Sequence, residues 1–386
     1  MKCCKKILVL ITVLLNIIPL NGCWNYREID QLAIVAGIAI DKGINEKFSI
    51  TVEIVEITSG GTAQSETTSK IITFEGKTIF DTSRHVISVS GKKLYWGHAK
   101  IAIISQEIAT QGVVQVLDWF SRDAETRADI KIVISKEHSA KDILATKGLT
   151  EKVTSFEINE ILNSHQSLSD TPKVEVWMFN NRLVAKGISP IAPAIDLKQI
   201  NGESVPHITG CAIFDGDRLI GFLDNNDTKS MLFILNEIKG GVIIAESCTE
   251  NEKTTASCEI FRNKTKVKPV INNGNIEMDI NIETDVAIDE ISSSENIINV
   301  DTVKKLEASA EKILKDRIES VIAKVQSDFG VDAFGFGAKL YENKPKIWNL
   351  VADSWKDKFK DLKVNVNVKV NIINSAMLAK PLEVND

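Results

Sequence analysis

Apolar and polar residues follow one another along this chain in several rhythms, and each rhythm predicts an element. Lys2, Lys5 and Lys6 precede a run of 14 residues, 7–20, that is apolar except for Thr12, Asn16 and Pro19. A basic start before a short apolar stretch is the layout of a signal peptide, and the run falls short of the ~20 residues that a spanning helix needs. Residues 32–40 are apolar and close on Asp41-Lys42-Gly43, which predicts a strand leading into a turn. Phe48, Ile50, Val52 and Ile54 alternate with polar neighbours, so a second strand is expected to pair back as a hairpin. Residues 59–69 are rich in Gly, Ser and Thr, which predicts a mobile loop. Strand-like and helix-like periods then alternate: strands over 71–74, 101–104 and 130–134, and helices over 79–88, 106–120, 143–145, 156–162 and 174–184. Ser105 is placed to cap the helix from 106.

Beyond residue 198 the pattern changes. The polar stretch 199–204, with Gly202, predicts a linker. Residues 208–214 and 219–223 flank Asp215-Gly216-Asp217 as a hairpin, followed by a helix over 228–238 and strands over 242–245 and 258–267, until 269–274 breaks the pattern. A strand over 276–288 then leads into a long helix. Val303, Leu306, Ala310, Ile313, Leu314, Ile318, Val321, Ile322 and Val325 share one face of it, with Asp301 as the expected cap. That face is expected to cover a nearby sheet. Val364, Val366, Val368, Val370 and Ile372 alternate with Lys and Asn, which marks a strand with one wet face. The expected fold class is α/β, with mixed sheets and flanking helices. Residues 1–22 form the signal peptide, and three domains follow at 23–198, 199–268 and 269–386.

Composition narrows the function classes. The 386 residues are 44% hydrophobic and 25% charged, with 21 Gly and 8 Pro, which excludes collagen-like and wholly disordered chains. A net charge of −6 lacks the basic footprint that nucleic-acid binding needs, so no nucleic-acid partner is expected. Leu20-Asn21-Gly22-Cys23 resembles a bacterial lipobox, in which the cysteine thiol takes diacylglycerol and becomes the mature N-terminus. Two acyl chains supply the double hydrophobic signal that lasting membrane attachment requires. Cleavage would remove three lysines and no acid, moving the net charge from −6 to −9. Cys211, Cys248 and Cys258 would remain. Cys248 and Cys258 flank a polar turn and could oppose one another across a hairpin, although an export compartment permits a disulfide without requiring one.

Several segments together resemble one family, the C subunits of bacterial spore germinant receptors, or Ger(x)C proteins. The likeness is carried by Cys23-Trp24-Asn25-Tyr26-Arg27-Glu28-Ile29, the run 32–41, Gly97-His98-Ala99-Lys100, the segment 121–127, Thr209-Gly210-Cys211-Ala212-Ile213-Phe214 with 217–221, and Trp348 and Trp355 before the alternating Val strand. The resemblance implies a three-domain exported lipoprotein on the outer face of the inner spore membrane. It would work there with two integral membrane subunits, of the A and B type, to sense nutrients and trigger germination. It also implies no reaction and no cofactor beyond the lipid, with direct germinant binding left to the membrane-embedded subunit.

The residues themselves offer no catalytic constellation. His85, His98, His138, His165 and His207 are scattered without H-E-x-x-H or C-x-x-C spacing, so no metal site is expected. Gly76-Lys77-Thr78 imitates the end of a P-loop, but Ile71 stands where its first glycine belongs. Gly335-Phe336-Gly337 lacks the third glycine of a dinucleotide loop, because residue 340 is Leu. Asp123 and Glu125, beside Arg122 and Arg127, form a solvated charge cluster rather than a sugar-hydrolysing pair. Trp24, Tyr26 and Arg27 follow the lipid site closely and are types enriched at membrane interfaces and binding hot spots. They are candidates for partner or membrane contact, or for packing on their own domain. His98 and Lys100 are candidates for a polar partner contact, against an ordinary structural role before a strand. A lipid-anchored solute-binding protein is the competing function. Cys23→Ala is expected to leave uncleaved precursor and to abolish diacylglycerol attachment; metabolic lipid labelling checks this, and labelling at the normal level refutes the lipobox.

Overall fold

The computed structural model describes residues 5–7, 28–59, 65–248, 253–292 and 300–374. Cys23, Trp24, Tyr26 and Arg27 lie outside the described residues. Thirteen strands are present among the described residues: β1 Leu32–Lys42, β2 Phe48–Ser59, β3 Ser65–Gly76, β4 Lys93–Tyr95, β5 Ile101–Ser105, β6 Lys131–Ser135, β7 Ile191–Ile200, β8 Glu203–Asp215, β9 Arg218–Leu223, β10 Val242–Cys248, β11 Lys253–Asn272, β12 Asn275–Ser292 and β13 Lys363–Asn374. The first nine form one sheet in the order β3-β2-β1-β5-β6-β7-β8-β9, with β4 paired to β1. β1, β5, β6 and β7 are parallel, while hairpins at either side give antiparallel edges. The remaining four form a second sheet in the order β10-β11-β12-β13. The mixed α/β class and the opening β1–β2 hairpin are as expected.

Both faces of the parallel block are covered, which is why its strands are apolar runs without alternation. Ile101 and Ile103 of β5 pack with Ile143, Leu144, Ile158 and Leu162 from the helices Ala140–Leu144 and Thr154–Ser164. Ala102 and Ile104 face the other layer, with Ile108, Val116 and Phe120 of the helices Gln106–Gln111 and Val114–Arg122. Two carboxylates on the strands tie the first layer down. Asp41, at the end of β1, accepts the Ala140 N–H at 2.7 Å and the Lys141 N–H at 3.0 Å. Glu53 of β2 accepts the Thr154 and Ser155 N–H groups at 2.9 and 2.8 Å. Each carboxylate therefore satisfies the free N–H groups that begin a helix.

The second sheet carries the long helix Val300–Lys324 on one face, with Leu306, Ala310, Leu314, Ile318 and Val321 buried, as the apolar stripe predicts. This helix also manages the open edge of β13: Glu311 and Glu307 accept the Val370 and Ile372 N–H groups at 3.1 and 2.9 Å. Such capping blunts an edge that would otherwise recruit another strand. On the opposite face the register sets Lys264 against Glu283, and Glu283 against Lys369, forming a wet charge ladder.

The structure corrects several boundaries. Residues 199–204 are not a linker but the end of a hairpin, with β7 and β8 turning at Asn201-Gly202, whose φ values are 52° and 86°. The cut at 198/199 therefore crosses a continuous sheet. The cut at 268/269 falls inside β11, which turns into β12 at Asn273-Gly274, with φ of 51° and 81°. Asn-Gly dipeptides accept positive φ at both central positions and reverse a chain within a sheet instead of releasing it from one. Residues 65–69, expected in a loop, extend β3 along β2. The helix expected over 106–120 is two helices broken at Gly112, although Ser105 does cap its start by accepting the Ile108 N–H at 3.4 Å. Asp301 sits within the first turn of its helix instead of ahead of it. The β10–β11 register places Lys253 opposite Cys248 and Ile243 opposite Cys258, so the two cysteines do not oppose one another. Cys258 is a buried free thiol, as is Cys211, whose pKa burial pushes up to about 12.

Gly274 has open space around its Cβ position, which isolates the backbone effect of a substitution. Gly274→Val is expected to destabilise the protein by about 1–3 kcal/mol through the left-handed conformation alone, measured by chemical denaturation of the otherwise unchanged chain.

Candidate functional site

Two regions combine side chains that the sequence pattern leaves apart. The first lies where the segment after Cys23 enters the fold. The short 3-10 turn Ile29–Gln31 leads into β1, and β4 runs parallel to the first residues of that strand, with Leu32 opposite Lys93 and Ile34 opposite Tyr95. A further 3-10 turn, Trp96–His98, carries the chain on to β5, where Ile101 pairs with Gly37. His98 and Lys100 flank the buried Ala99 and are both exposed. The His98 ring packs edge-on against Tyr95, with centroids 5.9 Å apart. The Lys100 N–H donates to the Ala36 carbonyl at 2.8 Å, and its own carbonyl accepts the Lys131 N–H at 3.0 Å. The main chain at Lys100 is thus stitched between β1 and β6, which frees the side chain for solvent.

Lys131 is a residue that the sequence pattern did not single out. It is buried at the start of β6, its ammonium held by Asn159 and, at 2.9 Å, by Asn163 Oδ1. Burial pushes its pKa down to about 8, and the neighbouring Lys173 adds to the effect. A lysine inside an apolar strand run was the available signal.

The second region joins the two sheets. Arg182, near the end of the helix Val176–Val184, donates through Nη2 to the Ala333 carbonyl at 2.6 Å and through Nε to the Ser189 carbonyl at 3.1 Å. Glu237 faces the guanidinium; burial raises its pKa, and Arg182 opposes that rise. Gly187 and Gly337 meet backbone to backbone, with the Ala338 N–H on the Gly187 carbonyl at 2.9 Å. A Cβ on Gly337 would lie 2.8 Å from the Gly187 Cα and 2.5 Å from the Trp355 indole nitrogen, so only glycine fits the contact. Asp332 organises this turn from beneath. Its Oδ1 accepts the Gly335 and Phe336 N–H groups at 2.7 and 3.1 Å, and its Oδ2 accepts the Gly337 N–H and Trp355 Nε1–H at 2.7 and 3.0 Å. Burial nonetheless pushes its pKa up to about 6. Gly335-Phe336-Gly337, a failed dinucleotide motif in sequence terms, is here the close-packed half of an interface. A cleft of about 600 Å³ opens beside it, bordered by Lys186, Trp348, Asp353 and the Asp215–Lys356 ion pair.

Chemistry finds little purchase elsewhere. Among the described residues no group of three or more His, Cys, Asp or Glu could hold a metal ion. Asp123 accepts the Glu125 N–H at 2.8 Å, Glu125 pairs with Lys93, Arg122 pairs with Asp118 at 2.7 Å and Arg127 with Asp129 at 2.6 Å. The two candidate acids are therefore engaged separately, in the charge cluster expected of them. A groove of about 490 Å³ lies between Phe48, Phe80 and Trp119, but its Arg122 is already held by Asp118 and its Lys47 lies over the Phe48 ring.

The chain matches two family models in tandem: the spore germination protein N-terminal domain over residues 25–197, and the spore germination B3/GerAC-like C-terminal domain over residues 209–376. The chain belongs to the Ger(x)C family of spore germination proteins. It is 23% identical to spore germination protein KC of Bacillus subtilis (strain 168) over 402 residues, covering 98% of each chain. It is 25% identical to spore germination protein B3 of the same organism, covering 98% of this chain and 100% of the relative. The fold is similar to the crystal structure of the GerBC protein, with a TM-score of 0.56 and 21% identity over 90% of this chain and 100% of that one. In this Ger(x)C protein the joint around Asp332 ties the N-terminal family unit to the C-terminal one, since Arg182 and Gly187 come from the first and residues 332–338 from the second.

Asp332→Asn is expected to destabilise the protein by about 2–4 kcal/mol, because an amide cannot accept from all four donors. The pH profile separates this from a packing defect. An acid whose folded pKa is raised favours the folded state at low pH and loses that contribution as pH rises from the ordinary carboxylate range through about 6. Denaturation midpoints between pH 4 and 7 should show this slope in the parent chain and its loss in the variant.

Proposed function

We propose that this protein is a noncatalytic, lipid-anchored subunit of a spore nutrient germinant receptor. Diacylglycerol on Cys23 holds it at the outer face of the inner spore membrane, and it assembles there with two integral membrane subunits of the A and B type to trigger germination. The observation that carries the reading is the arrangement of the chain: the first family unit starts at residue 25, two residues beyond the lipobox cysteine, and the second runs almost to the C-terminus. No helix of the described residues is long and apolar enough to cross a membrane, so attachment in this reading falls to the lipid.

Within this reading Trp24, Tyr26 and Arg27 contact a partner or the membrane interface, and His98 and Lys100 offer a polar surface at the same end of the fold. Truncating a buried hot-spot side chain costs about 2 kcal/mol or more, roughly 30-fold in affinity. The test is affinity capture of the full-length lipoprotein from dormant-spore membranes. Two integral membrane proteins are expected to co-purify, and their recovery is expected to fall when Trp24, Tyr26 and Arg27 are all replaced by Ala. Capture of the chain alone under conditions that preserve other membrane complexes refutes the receptor reading.

A further inference from the structure

We propose that the end of the large sheet where β1 begins is a membrane-docking tip, with Ile87, Val89 and Trp177 inserted into the lipid interface. The proposal rests on the lipid anchor at Cys23 and adds an orientation for the folded body above it. Glu28 is five residues beyond Cys23, so the chain between them spans at most about 18 Å whatever its conformation. The described fold therefore starts close to the bilayer surface, and whatever surrounds Glu28 shares that proximity.

The topology specifies those surroundings. β4 lies beside the first three residues of β1, and directly before it come the short helix Ile87–Ser90, the left-handed Gly91 with φ 66°, and Lys92. Val89 is 73% exposed and Ile87 39% exposed. Further across the same sheet end, the segment before β6 holds the chain of Trp177: the Val176 N–H donates to the Ile130 carbonyl at 2.9 Å, and the Trp177 N–H to the Ala128 carbonyl at 3.2 Å. Lys131 is level with Ile101, and Ile101 with Gly37, so residues 128–130 lie on the β1-start side of the block. Trp177 is 47% exposed, and its indole N–H is turned to Glu175 at 2.6 Å. Lys92, His98 and Lys100, on the β1-start side of the sheet, are exposed as well.

Exposed aliphatic and tryptophan side chains at the end nearest a lipid anchor form the pattern of an interfacial contact, with apolar groups at the acyl boundary. Among the acids at this end Glu125 pairs with Lys93 and Asp129 with Arg127, while Glu28, Asp30, Asp123 and Glu175, whose carboxylate accepts the Trp177 indole N–H, offset Lys92 and Lys100. The unpaired acids outnumber the lysines, which gives anionic lipid no hold and leaves apolar insertion as the dominant attraction. A bilayer is the favoured occupant over a protein because the tether in this reading places it there without any further association.

The test uses the full-length lipidated protein in phosphatidylcholine vesicles carrying nitroxide-labelled lipid. With Cys248→Ser in place, Cys211 and Cys258 are buried, and an environment-sensitive fluorophore is attached at Val89→Cys, Trp177→Cys or Ile44→Cys. Ile44 is 91% exposed in the turn beyond the far end of β1, about 33 Å along the strand from Leu32, and serves as the distant control. Flotation establishes attachment first. The expected result is blue-shifted emission and several-fold stronger lipid quenching at 89 and 177 than at 44. Attached protein with all three positions equally wet overturns the docking tip while leaving the anchor intact. Immersion of 89 and 177 only after integral membrane subunits are added overturns it in favour of a protein contact. Chains that do not float refute the anchor, and the docking with it.

Discussion

The central constraint in this fold is that β1, β5 and β6 have no face left for water. Helices cover both sides, so polar groups at the ends of these strands must find protein partners or lie at the rim. Asp41 and Glu53 resolve this by capping helices in the layer above them, and the same contacts fix where those helices begin. The buried polar groups of the block stand at the strand ends: Asp41, Ser105 and Ser135 at one end and Lys131 at the other. His98, Lys100 and the buried Lys131 all stand at the end where β1 begins.

The second constraint is the joint between the sheets. Its contacts centre on the main chain: the Arg182 guanidinium on two carbonyls, one glycine against another, and the Asp332 carboxylate beneath three backbone N–H groups and the Trp355 indole N–H. Such a surface tolerates little displacement, since backbone groups cannot change rotamer to follow a neighbour. Trp348 and Trp355, with ring centroids 5.6 Å apart, pack over the Gly337 side of it. Close-packed atoms therefore join the two units at this surface. In the receptor reading, that joint links the end facing the membrane to the more distant C-terminal sheet.

Much of the local structure was legible from period alone. The apolar run of β1, the alternation in β2 and β13, and the stripe along the 300–324 helix each announce both the element and its buried face, because side chains in a strand or helix repeat at fixed periods. The two misplaced domain boundaries have one physical source. Gly202 and Gly274 lie in polar stretches that read as breaks in the pattern, whereas Asn201-Gly202 and Asn273-Gly274 are the tight turns by which the chain stays in a sheet. Gly, Asn and Ser clusters have the same composition in a linker and in a hairpin; the flanking strands decide between them. The hairpin that could have set Cys248 opposite Cys258 turns elsewhere, since a shift of the turn by a few residues changes every partner across a hairpin.

By itself the sequence determined the class of the fold, its buried faces and the family resemblance. All of these depend on residues near one another in the chain. It could not locate the joint, because Arg182, Gly187, Asp332 and Gly337 carry no shared period or spacing and meet only when two sheets pack. A lysine within an apolar run marks Lys131 in the sequence, but its hold by Asn159 and Asn163 is a tertiary fact. Those arrangements depend on which surfaces exclude water together, and that is decided by tertiary packing across more than a hundred residues of chain.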